Sequence, residues 1–160
     1  MCMGLESRLR KQGHLEAYNK EIRGYLDRQA ARELTKEEME AWKGQVNYVS
    51  HHEVPKPGSV TTPLQVVSNS SLNNNNSGHT YNSLLAKGPN ASTPFLEVLV
   101  TFRSYTNVVV WDIYKAYNCM FTGPEEMHCQ HFVWCWGEED SEWSTFAFIR
   151  VHFGDRPAAV

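Results

Sequence analysis

Three groups of residues in this chain have the types and spacing to do chemistry. The first is Asp112, which interrupts the run Val108-Val109-Val110-Trp111-Asp112-Ile113-Tyr114-Lys115-Ala116-Tyr117. The β-branched residues ahead of it predict a buried strand. A carboxylate at the end of such a strand is costly to desolvate unless it is paired, hydrogen-bonded or bound to a metal. It is therefore either an anchor for a hard cation or an ordinary strand-end acid that faces water or caps the next turn. The second group is His51-His52. Neighbours in an extended chain point to opposite sides, so one metal ion is not expected to take both. The third is His128-Cys129-Gln130-His131 with Cys135, which has the ligand types of zinc but none of the paired spacings of zinc frameworks. Its alternative reading is a strand with small buried thiols.

The composition bounds what these groups can serve. The chain has 160 residues, enough for about one domain with a sizeable core. A hydrophobic fraction of 41% and five Trp predict a folded protein. The net charge of -3 supplies no global field for nucleic acid or an anionic membrane, which counts against an autonomous nucleic-acid binder. No window approaches the ~18 apolar residues needed to span a bilayer, and no apolar leader opens the chain. Without a Cys-x-x-Cys pair, the four cysteines are expected as reduced thiols of an intracellular protein, cytoplasmic or nuclear. The sequons starting at Asn69 and Asn90 are then chance matches.

The elements that must position these groups follow from periodicity. Leu15, Tyr18, Ile22, Tyr25 and Leu26 share one face of an amphipathic helix, expected to pack on its own domain. Thr35-Lys36-Glu37-Glu38 is a capping-box pattern opening a short helix that Gly44 stops. Together residues 1–45 are a helical preamble. Val46 to Val49 alternates like a strand, with His51 to Ser59 as its irregular exit, and Val60 to Val67 suits a second strand that Pro63 pushes towards a sheet edge or a bulge. Ser68 to His79 is a polar loop, followed from Tyr81 by a short helical or turn segment that Gly88-Pro89 ends. Thr93-Pro94-Phe95 opens a helix whose apolar residues surround most of the cylinder, so it is expected to be buried. A turn starts at Gly123-Pro124. Two β-rich runs, His131 to Trp136 and Phe146 to Phe153, predict a hairpin around an acidic loop.

In this order the segments resemble the reverse transcriptase of Bel/Pao-type retrotransposons, over roughly residues 46–160. Tyr48-Val49-Ser50-His51-His52-Glu53-Val54 is similar to the stretch leading into that family's fingers, and Thr61 to Ser71 to its nucleotide-contacting fingers strand. Tyr81-Asn82-Ser83-Leu84-Leu85-Ala86-Lys87-Gly88-Pro89 looks like a further family segment, Trp111 to Tyr117 like polymerase motif A, and Val151-His152-Phe153-Gly154-Asp155-Arg156-Pro157 like the start of motif B. Each piece is weak alone; five in register are a strong signal.

The resemblance implies an α+β fold, a partial polymerase right hand with an N-terminal helical segment. Fingers would comprise about 46–92 and 124–155, and an incomplete palm about 93–123 and 156–160. It implies a nucleotidyltransferase ancestry, RNA-directed DNA synthesis on a primer–template with a deoxynucleoside triphosphate. That reaction uses two Mg2+ ions about 3.5–4 Å apart. Asp112 would hold the metals with the backbone carbonyl of Ile113. Tyr117 would lie under the sugar, while Gln65, Lys56, Phe153 and Gly154 would contact the nucleotide. Two departures stand out. Gln65 occupies a position where most reverse transcriptases carry Arg, and it keeps only neutral hydrogen bonds to a triphosphate. The second acid of the family, in a Tyr-x-Asp-Asp hairpin, is not encoded in these residues and would lie beyond Val160, with the thumb further on. The fragment is accordingly expected to be inactive alone. The alternative expectation is a non-enzymatic interaction protein, using its preamble helix and open sheet edge to bind a partner or a homologous polymerase.

Overall fold

The computed structural model describes residues 2–59, 63–72, 78, 80–86, 93–114, 116–137, 142–152 and 154–155. Thr61, Thr62, Lys87, Gly88, Pro89, Lys115, Asp140, Phe153 and residues 156–160, on which parts of the sequence reading fell, lie outside the described residues. The described chain is mixed α and β, with five helices and two small antiparallel sheets.

The preamble folds as two helices, α1 (Cys2–Gln12) and α2 (Leu15–Asp27), then strand β1 (Ala31–Glu33) and helix α3 (Lys36–Ala41). The α2 face read from the sequence is buried through Tyr18, Ile22 and Tyr25. Thr35 caps α3 with the expected reciprocal bonds, its hydroxyl accepting from Glu38 N and the Glu38 carboxylate accepting from Thr35 N at 3.0 Å. Strands β2 (His51–Pro55) and β3 (Leu64–Ser68) form a hairpin with His51 opposite Ser68 and Pro55 opposite Leu64. The irregular exit expected at His51 is thus a strand. The strand expected at Val46–Val49 is reduced to a single bridge between Tyr48 and His131. The reason is pairing: β3 satisfies the backbone of 51–55, whereas Tyr48 meets only the start of the next sheet.

That sheet has the order β1-β5-β4, with β4 (His131–Trp134) and β5 (Ser144–Phe148) forming the expected hairpin. β5 ends at Phe148, short of the predicted Phe153. Strand β1, too short to show in the sequence pattern, covers its other edge by pairing Ala31 with Phe148 and Glu33 with Phe146. One core joins all of this. Leu5 and Leu9 of α1 and Tyr18 and Ile22 of α2 pack with Val66, Phe132, Trp134, Phe146 and Phe148. Phe132 stacks on Phe146 and Phe148 at centroid distances of 5.2 and 4.6 Å, and Tyr18 lies 4.9 Å from Trp134. Each such side chain stabilises the fold by about 1.5–3 kcal/mol when fully buried.

Two further expectations fail. Helix α5 (Phe95–Arg103), after the short α4 (Tyr81–Leu84), forms where predicted but has no buried residue; Phe95 is 76% and Leu96 73% exposed. The Val108–Tyr114 run is not a strand, and Val109, Val110 and Trp111 are each at least 80% exposed. The cause is shared. A β-branched run becomes a strand only against a partner, and an apolar helix is buried only if something packs on it. Among the described residues nothing supplies either.

Candidate functional site

Asp112 and Ile113 lie in this irregular, exposed segment rather than at the end of a buried strand. The desolvation argument for a metal at Asp112 therefore lapses. What remains is the chemistry of the donors: a carboxylate and a backbone carbonyl are hard oxygens of the kind Mg2+ takes. They supply one negative charge, and a two-ion centre needs a second acid to offset the repulsion between the ions. Among the described residues no three His, Cys, Asp or Glu side chains gather as a metal site.

The other predicted residues are partly drawn together. Lys56 is exposed at the tip of the β2–β3 hairpin, where its amide donates to Pro63 O at 2.8 Å. Gln65 sits on the half-exposed face of β3, opposite Val54. Gly154 meets the far end of the same strand. Its φ is +113°, and a Cβ built there would lie 2.2 Å from the Ser68 carbonyl oxygen. Ser68 is three residues from Gln65, a strand distance of about 10 Å. Tyr117 is half-buried in a 3-10 turn over Ala116–Cys119. Its neighbour Asn118 donates from Nδ2 to Val151 O at 3.1 Å, and Val151 N donates to Met120 O at 3.0 Å. The chain thus ties the end of the motif-A-like segment to the start of the motif-B-like one, and ties that to the hairpin. Asp112 stands five residues upstream of Tyr117, outside these ties. Phe153 lies outside the described residues.

What secures Gly154 is a buried polar cluster that sequence reasoning missed. Ser70 donates from its hydroxyl to Asp155 Oδ1 at 2.8 Å, and Asp155 Oδ2 lies 2.9 Å from His152 Nδ1. All three are at least nine-tenths buried. His152 stacks on Phe148 with ring centroids 4.1 Å apart, which fixes its plane. Asn82 of α4 donates from Nδ2 to Gly154 O at 2.8 Å, and its amide donates to Ser70 O at 2.9 Å. Burial pushes the nearby Tyr81 phenol above its ordinary range, with the Asp155 carboxylate adding to the shift. Ser, His and Asp are the types of a nucleophilic triad, but here the acid lies between the other two. The histidine cannot take the serine proton, so the cluster is built to hold rather than to react. Its sequence signal is slight, because Ser70 and Asp155 are brought together only by the fold.

Two histidine groups also resolve. His51 is buried between Tyr18 and β4. Its Nε2 contacts the Val133 carbonyl at 3.1 Å and its Nδ1 the Tyr18 hydroxyl. A carbonyl only accepts, so Nε2 carries the proton and the tyrosine donates to Nδ1. Burial lowers its pKa to about 4. His52 faces the other way, as the strand geometry required. His128 Nδ1 and His131 Nε2 are 3.2 Å apart with a ring proton between them. Trp42 stacks on His128 at 4.0 Å. Burial takes His131 down to about 4 and lowers His128, and Arg32 beside them adds to both shifts. The pair and Trp42 hold α3 against the start of β4. Cys129 and Cys135 are free thiols, and no helix is long and apolar enough to cross a membrane among the described residues.

Comparison with family models, with curated proteins and with solved structures finds no match to this chain.

Proposed function

We propose that this chain is a fragment of a retrotransposon-type reverse transcriptase, bearing fingers and part of a palm. Its ancestral reaction is template-directed DNA synthesis by two-metal phosphoryl transfer, and it is inactive by itself. The observation that carries the reading is the convergence of three resembling segments. The two fingers-like segments pair as the hairpin β2–β3, Gly154 and Asp155 meet its far end, and the turn carrying Tyr117 is bonded to Val151. A nucleotide contacting Gln65, Gly154 and Tyr117 would bridge elements that already touch. Mg2+ is the implied cofactor, with Asp112 its first anchor, and primer–template and deoxynucleoside triphosphate are the implied partners.

The inactivity follows from charge. The sequence holds four aspartates, Asp27, Asp112, Asp140 and Asp155, and no Tyr-x-Asp-Asp. Asp155 is engaged by Ser70 and His152, so it does not serve as the second metal acid. Primer extension by the purified chain with Mg2+ or Mn2+ should give no incorporation; incorporation abolished by Asp112→Ala would refute the inactivity. Hydrogen exchange with and without Mg2+ and a deoxynucleoside triphosphate tests the ancestry. Protection should appear in 64–68 and 116–119, and a folded chain with no protection in either would sink the polymerase reading.

The alternative, a non-enzymatic interaction protein, draws on the exposure of α5 and residues 108–114. The apolar face of α2 lies in the chain's own core, so the support for this reading comes from the exposed stretch rather than from that face.

A further inference from the structure

The stretch from Phe95 to Ile113 leaves most of its large apolar side chains exposed. Phe95, Tyr105 and Trp111 are 76%, 67% and 80% exposed, and Leu96, Val109 and Val110 73%, 83% and 81%. The three aromatics alone show on the order of 400 Å2, taking 150–250 Å2 for a whole aromatic side chain. With the aliphatic side chains between them the stretch reaches about the 800 Å2 that one partner gives to a standard interface. The largest apolar patch on a typical monomer is roughly 300–600 Å2.

We propose that this stretch is a self-association surface, occupied by the same stretch of a second copy. Two observations select that occupant. Val108–Tyr114 has one charge, no Pro and no Gly, the composition of segments that pair with copies of themselves. An antiparallel pairing of identical segments about a two-fold axis is self-complementary and closes after two chains. The single charge sets the limits. Asp112 opposite its twin would be repulsive, so registers that place it against a valine are favoured. The same charge opposes the addition of further copies in parallel register. Residues 108–113 of each chain become strands in the pair, with α5 adding to the covered apolar area. This proposal does not rest on the polymerase reading.

The test is sedimentation velocity of the whole chain over the micromolar range, beside the double variant Val109→Lys/Trp111→Lys. Both side chains are at least 80% exposed, so the variant should keep the near-UV circular dichroism of the buried aromatics. The expected result is a dimer for the parent chain and a dissociation constant raised at least tenfold in the variant. A parent chain monomeric throughout, assemblies larger than two, or a folded variant that dimerises as well as the parent would each overturn the proposal. Should the variant not fold, hydrogen exchange on the parent chain decides. The amides of 108–113 should slow as protein concentration rises, and rates independent of concentration would overturn it.

Discussion

Gly154 and Asp155 show how much of this chain's architecture rests on single residues. At Gly154 the backbone is left-handed in sign and the Ser68 carbonyl occupies the space of a side chain. Gly154→Ala should therefore lower stability by about 2–3 kcal/mol, combining backbone strain with a clash that backbone must relieve. Gly58 is a control, with φ +89° and nothing within 4 Å of its Cβ, and Gly58→Ala should cost only about 1 kcal/mol. Equal shifts in urea midpoint for the two variants would show that Gly154 does not press on β3. The two acids near the proposed site differ in the same way. Asp155→Ala leaves Ser70 and His152 buried without their partner and should cost about 2–3 kcal/mol. Asp112→Ala removes an exposed group and should change the midpoint by less than about 0.5 kcal/mol. A large loss for Asp112→Ala would mean that its segment is packed after all.

At the scale of elements, the preamble is part of the core rather than an appendage. Ile22 is fully buried in α2, and Ile22→Ala should cost about 2–5 kcal/mol by lost burial and the cavity left behind. Helix α1 is pinned to the hairpin by Arg8, whose guanidinium donates to both Glu53 oxygens at 3.1 and 2.8 Å. Burial is the largest single influence and works to raise the Glu53 pKa. The Arg8 fork, a backbone hydrogen bond and the charges of Arg8 and His52 together outweigh it, and the net shift is downward. Arg8 is half-exposed, so Arg8→Ala should cost only about 1 kcal/mol. A chemical-denaturation comparison in which Arg8→Ala matched Ile22→Ala would contradict this ordering. Helix α5 is more apolar than α2 yet buries nothing. The difference lies in neighbours, since α2 has two sheets against it and α5 has neither.

For the whole molecule, buried neutral histidines make stability depend on pH. His51 and His131 are held at about 4 in the folded chain, against an ordinary value of 6.5. The unfolded state binds protons more readily, so their contribution is fully present above pH 6.5. It falls as pH drops from there to about 4. Glu53, lowered from 4.5, continues the loss in the same direction at lower pH. Urea midpoints should be flat from pH 8 to 7 and decline steadily towards pH 4.5. A midpoint as high at pH 4.5 as at pH 7 would show that these rings are not buried as neutral groups.

The sequence by itself determined the parts whose stabilising contacts lie within a few residues or within one period. The face of α2, the Thr35 capping box, the β4–β5 hairpin and the opposed directions of His51 and His52 were all readable. It also supplied the polymerase-like order of segments, which remains a resemblance. Only the tertiary structure decided which apolar stretches are core. Composition measures the gain available from burial, and the gain is realised only where another surface arrives. That is why Tyr18 and Ile22 are buried while Phe95 and Trp111 are not. The same reason hid the Ser70–Asp155–His152 cluster, whose members are joined across more than 80 residues by folding alone. It also moved Asp112 from the end of a buried strand to the surface.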